Sequence, residues 1–227
     1  MQLSKLSLLA IASSIAITAT SWAAAPQRLR GTVESVNSNS LKLKTNDGKS
    51  VDVVLDAGTK YAALIKASLK DVTKDTYIGT ATKGSSNVAL EVVIFPPSMR
   101  GTGDGHYPWD EITDTTASGG ARTKSAMTNG NVGSVSAAGR PKVKSAMTNG
   151  NIDAASTKSG SKKITVTYKG GKQEITIPPT APIVAIRPSD ASIVKKGAHV
   201  FIKGTAEDGK VTAQSVAVGE NGLTPPM

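Results

Sequence analysis

From residue 28 onward, apolar and polar residues alternate in short runs. In RLRGTVESVNSNSLKLKTNDGKSVDVVLDAGT the apolar positions Val33, Val36, Leu41, Leu43, Val51, Val53 and Leu55 follow the period of two that a half-buried strand requires. Asn-Ser-Asn-Ser and Asn46-Asp47-Gly48 separate the runs where hairpin turns belong. The pattern predicts a β-meander. A short helical or irregular segment is expected around Leu64 to Leu69, and two more strands at Thr76 to Thr82 and Ala89 to Phe95. Five strands with an insert between the third and fourth is the ground plan of a small Greek-key barrel of the OB type.

The second half repeats the plan. NGNIDAASTKSGSKKITVTYKGGKQEITIPP overlays the first meander, with Lys169-Gly170-Gly171-Lys172 at the place of the Asp47-Gly48 turn. The remainder, ending AEDGKVTAQSVAVGENGLTPPM, supplies a second insert and two last strands, and FPPSM closes one half as TPPM closes the other. An internal duplication predicts two tandem barrels, with a single large sandwich as the alternative. A second repeat lies between them: TKSAMTNGNV (Thr123 to Val132) recurs as VKSAMTNGNI (Val143 to Ile152). The copy nearest KITVTY is the natural opening strand of the second barrel. The other copy is then a connector or a spare edge strand, the connector being favoured.

The N-terminus breaks the alternation. Lys5 precedes an apolar run from Leu6 to Thr18 and then Ser21-Trp22-Ala23, the signature of an export signal cleaved after Ala23. No later run reaches the ~18 apolar residues of a membrane helix, so the processed chain is expected to be soluble, in the periplasm or secreted. The expected division is a signal peptide over 1–23, a first OB-like barrel over 26–98, a junction loop and linker over 99–144, and a second OB-like barrel over 145–227.

The chain has no cysteine, which removes disulfide frameworks, thiol catalysis and Cys-ligated zinc. Its formal charge of +10 is spread evenly. Lys and Arg outnumber Asp and Glu by 10 to 7 over residues 26–98, 7 to 5 over 99–160 and 9 to 5 over 161–227. That distribution describes a solvated basic surface rather than a nucleic-acid stripe. An OB barrel that binds nucleic acid stacks bases on aromatics of its second and third strands, and here Tyr168 is the only such platform.

Candidate chemistry concentrates in MRGTGDGHYPWDEI, Met99 to Ile112. Three glycines and the preceding Pro96-Pro97 predict a loop. As a metal site it offers Asp104, His106, Asp110 and Glu111, with Asp114 nearby, a set suited to calcium, manganese or zinc but without EF-hand or H-E-x-x-H spacing. As a ligand or partner surface it offers Arg100, Asp104, His106, Tyr107, Trp109 and Asp110. As a structural strap it packs Tyr107 and Trp109 between the barrels, with Asp110 paired to Arg100 or capping a turn and His106 making an ordinary hydrogen bond. No catalytic residues are assigned: the other histidine, His199, lies in the strand AHVFIKG on the face of Phe201 and Lys203, and no Gly-rich loop has phosphate-binding context.

The opening RGTVESV with its DGK hairpin, and the ending AEDGKVTAQSVAVG, resemble the exported bacterial barrel domains grouped as domain of unknown function 5666. The resemblance spans most of the processed chain as two units and implies an OB-like fold in the cell envelope, with no assigned activity or catalytic residues. Relatives of the two-unit type carry a metal-transporter permease label. The function expected is therefore non-enzymatic binding, by an exported envelope protein, of a small ligand or an envelope protein near the inter-barrel loop. The alternative is a periplasmic metal-binding accessory protein of a transport system. No nucleic-acid partner is expected, and no cofactor beyond a divalent metal in that alternative.

Overall fold

A computed structural model describes residues 25–84, 86–116, 120–138, 160–207 and 209–226. The expected all-β class is what forms. The first meander is β1 (Ala25–Val36), β2 (Ser40–Thr45) and β3 (Ser50–Val54), antiparallel, with Leu43 opposite both Val33 and Val51. The segment expected to be helical or irregular is instead strand β4 (Lys60–Lys66), followed by one 3-10 turn, Leu69–Asp71. YAALIK suits either conformation, and β4 is fixed as a strand by neighbours on both sides: β13 (Lys210–Gly219), parallel, and β11 (Ile183–Ser189), antiparallel. The other strands are β5 (Tyr77–Lys83), β6 (Ala89–Ile94), β7 (Gly105–Thr113), β8 (Arg122–Ala137), β9 (Lys162–Tyr168), β10 (Gly171–Ile177) and β12 (His199–Glu207).

The tandem division into 26–98 and 145–227 does not describe how these strands pair. The meander β1–β2–β3 is closed by β13 and β12, the last two strands of the chain: β3 runs parallel to β13, β13 pairs with β12, and β12 pairs with β1. The meander β8–β9–β10 is closed by β6 and β5 from the first half. There, β10 meets the start of β6 through the parallel Val88 to Thr176 bridge and a 2.8 Å bond from Thr176 N to Asn87 O. Each half thus lends its final pair of strands to the other half's meander. The two crossing strands, β4 and β11, lie side by side between the two rings.

The duplication itself is written in the irregularities. Ring A (β1, β2, β3, β13, β12) has a bulge between Val33 and Ser35, and ring B (β8, β9, β10, β6, β5) has one between Val132 and Ser134. A second bulge falls between Lys203 and Gly204 in ring A and between Ala81 and Thr82 in ring B. Two residues before the first bulge pair stands a buried glycine in each ring, where a β-carbon would lie 2.1 Å from Lys44 O (Gly31) or 2.4 Å from Thr167 O (Gly130). Only glycine permits that approach of two backbones.

Each ring encloses its own apolar core, which rules against one shared sandwich core. Ring A buries Val33, Leu41, Leu43, Val53, Ile202 and Val216, and ring B buries Ile78, Val92, Val132, Ile164, Val166 and Ile175. A fully buried Leu or Ile of this kind contributes roughly 2 kcal/mol. A third core, Leu64, Val93, Val184, Ile186 and Phe201, lies between the rings, with Trp109 packed against it.

The position of the TNGN repeat also differs from expectation. The first copy, Thr123 to Val132, is a connector in no sense: it is the buried first part of β8, which opens ring B. The second copy, Val143 to Ile152, lies outside the described residues. So does the proposed signal peptide. Eight of ten residues are identical between the copies, so local sequence had no means of choosing between them.

Candidate functional site

The junction expected to be a loop is one only as far as Asp104; from Gly105 it is strand β7, antiparallel to β8, with Tyr107 opposite Met127 and Thr113 opposite Arg122. Gly101, Gly103 and Gly105 do take the positive φ values the sequence suggested, 88°, 61° and 140°. Pro108 is tolerated because β7 is an edge strand, and a bulge between Pro108 and Glu111 turns Trp109 and Asp110 away from regular pairing.

The strand order β8, β5, β6, β11, β4, β13, β12, β1 is a continuous sheet, and β7 extends it beyond β8. Its two ends meet. Asp110 on β7 receives Arg28 and Arg30 of β1, each at 2.8 Å. The Arg28 guanidinium lies 4.0 Å from the centre of the Trp109 ring, with Lys203 Nζ at 5.8 Å, and Arg30 covers Phe201 at 4.9 Å. The sheet therefore curls around the third core and leaves a seam between β1 and β7 that is bridged by side chains. An open cleft of about 350 Å³ occupies the seam, lined by Pro26, Arg28, Arg30, Asp110, Glu111 and Arg122.

Beneath the seam sits Glu91, 3% exposed, on β6. Burial is the main reason its carboxyl is raised to about 8, with the Arg30 charge opposing and the Asp110 charge adding to the rise. Its Oε1 has no hydrogen-bond partner, and neither has the buried Trp109 Nε1. Desolvation, and then the neighbouring Arg28, pull the Lys203 ammonium down. Both shifts have the sense expected of a partly water-excluded place, where the charged form of either group is disfavoured.

The metal set is not assembled. Asp110 is held by its two arginines, while Asp104 accepts from Lys169 N at 2.7 Å and from the Tyr77 hydroxyl at 3.4 Å. His106 places Nδ1 2.9 Å from Thr128 Oγ1 and stacks on Tyr168, and the Glu111 carbonyl accepts from Arg122. Asp114, buried, pairs with Lys83 at 2.6 Å, and that ammonium together with Thr116 holds its carboxyl down to about 2. Among the described residues no three His, Asp or Glu side chains are grouped to hold a metal ion.

Of the ligand-site candidates, only Trp109 and Asp110 reach the seam. Arg100 does not pair with Asp110; it anchors the junction to ring B by bonding Asn131 Oδ1 and the Asp75 carbonyl. Tyr107 accepts from Asn129 Nδ2 at 3.2 Å and meets Trp109 edge-on, and burial raises its hydroxyl pKa. His199 sits 3.0 Å from the Thr32 hydroxyl of the paired strand. The sequence reasoning missed Arg28, Arg30, Glu91 and Arg122. Arg28 and Arg30 were legible as a pair two apart on one face of a predicted strand, and Glu91 as a lone acid inside the apolar run VALEVVIF.

No protein-family model, no curated protein and no solved structure matches the chain.

Proposed function

We propose that this is an exported, non-enzymatic binding protein of the bacterial cell envelope, periplasmic or secreted, whose site is the seam between β1 and β7. One observation carries the reading: Arg28, Arg30 and Arg122 outnumber Asp110 and Glu111 around an open cleft, with Trp109 behind Arg28, at the only place where the central sheet's ends are joined by side chains among the described residues. Arginine suits this task because its planar fork recognises carboxylate and phosphate in pairs of hydrogen bonds. Export is supported by the N-terminal sequence, and cleavage after Ala23 would leave β1 whole, since that strand begins at Ala25. The OB-like reading is supported by the ring order, in which a three-stranded meander has its third strand parallel to the last strand of the ring. The likeness to domain of unknown function 5666 rests on the turn glycines and alternating valines quoted above.

A non-enzymatic role agrees with the engagement of both histidine Nδ1 atoms by cross-strand threonines rather than by a carboxylate. NMR titration of the protein with inorganic phosphate and with succinate tests the site. The guanidinium signals of Arg28, Arg30 and Arg122 should shift together, with an affinity that falls as salt rises. An Arg30→Gln variant that binds both anions as the wild type does would refute the seam as the binding site.

A further inference from the structure

Among the described residues the two rings differ by one strand. In ring B, β8 pairs on one side with β5 and on the other with β9 from Asn131 onward and with β7 over Arg122 to Asn129. In ring A, β1 pairs on one side with β12 from Ala25 to Thr32 and on the other with β2 from Gly31 onward. Gly31 corresponds to Gly130, so residues 27–30 of β1 correspond to 126–129 of β8, the stretch that β7 covers. Among the described residues no strand covers it in ring A. The Arg30 carbonyl points to that side, where it accepts from Asn46 N at 2.9 Å. Alternation along an extended strand then turns the Arg28 N–H and carbonyl, and the Pro26 carbonyl, to the same side.

Resting on the seam as the binding site, we propose that its partner is an extended acidic peptide segment, added as a strand along residues 26–29 of β1 in the position β7 holds on β8. An unpaired edge supplies main-chain hydrogen bonds, and alternate side chains supply selectivity. Every second residue of the added strand faces Arg28, Arg30 and Arg122, so those positions are Asp or Glu. The chain's own residues 139–159 have the wrong sign for this place, with four Lys or Arg against one Asp.

The test uses the full chain and three synthetic octapeptides: alternating Glu and Val, alternating Lys and Val, and the Glu–Val peptide N-methylated at alternate amides. The Glu–Val peptide should bind and slow hydrogen exchange at the Arg28 amide by about tenfold, the worth of one edge hydrogen bond. The Lys–Val peptide should not bind, and N-methylation should weaken binding by about tenfold. Binding that leaves Arg28 exchange unchanged, or that ignores N-methylation, overturns strand addition while leaving an anion site in the seam. Equal binding of the Lys–Val peptide, or no binding of the Glu–Val peptide in the millimolar range, also overturns it. Phosphate alone should shift the guanidinium signals without protecting the Arg28 amide, which separates failure of this inference from failure of the site itself.

Discussion

Ring A and ring B share their pairings, both bulges and a glycine at a close backbone crossing, yet the faces they turn toward each other have diverged. Where ring A sets Arg30 over Phe201, ring B sets Asn129 against Gly79, whose missing β-carbon leaves room for the amide. Where ring A has Ser215, one strand residue before its core valine, ring B has Glu91. The interiors of the rings tolerate little change because two sheets of side chains must interlock around a fixed backbone. The facing surfaces were free to become unlike, and their unlikeness makes the seam.

The equivalence breaks most visibly at the glycines. Gly31→Ala and Gly130→Ala should each destabilise by about 3 kcal/mol or more, enough to abolish folding, because the obstructing atoms are backbone carbonyls. Urea unfolding that finds one variant near wild type would show that the two crossings are not alike. Next in size is the titration of Glu91. Its carboxyl lies near 8 in the fold against an ordinary 4.5, so the folded chain keeps a proton across that interval that the unfolded chain releases. Stability is then fullest below pH 4.5 and is lost progressively as pH rises through 8, by several kcal/mol. Glu91→Gln should remove the decline, and a Glu91→Gln variant whose unfolding midpoint follows pH as the wild type's does would assign the dependence elsewhere.

Trp109→Ala should cost about 2 kcal/mol, less than a fully buried indole, since the ring is half-buried and part of its contact is with the Arg28 stem. Thermal unfolding measures it, and the loss should fall on the third core rather than on either ring. Asp110→Asn should change stability by under about 1 kcal/mol, because its two ion pairs remain partly solvated. Its larger consequence is electrostatic: the variant should bind phosphate more tightly than wild type by calorimetry, since a competing carboxylate has left the seam.

Strands and most of their inward residues were legible in the sequence because alternation is a local signal: Val33, Leu41, Leu43 and Val53 are buried where the pattern put them, while Val36, at the end of β1, is exposed. Partners were not legible. Two copies of one pattern fit either meander equally well, and nothing within YIGTATK or VALEVVIF states which ring it will close. The same degeneracy hid the identity of the opening strand of ring B between two near-identical decapeptides. At the site, Trp109 and Asp110 drew attention because aromatic and acidic residues cluster there in sequence. Arg28 and Arg30 lie about eighty positions away, and only the curl of the sheet brings them to Asp110.

The exchange of strands also orders events in time. β1 has to wait for β12 and β13, made more than 160 residues later, before its ring can shut. Among the described residues, those up to β7 close no hydrogen-bonded ring by themselves, so commitment of ring A to the native state is deferred until β13 has emerged. A chain drawn amino-end first through a narrow pore would keep ring A threadable until β12 and β13 had passed, and a nick between β7 and β8 would yield two fragments whose rings can each be closed only by the other.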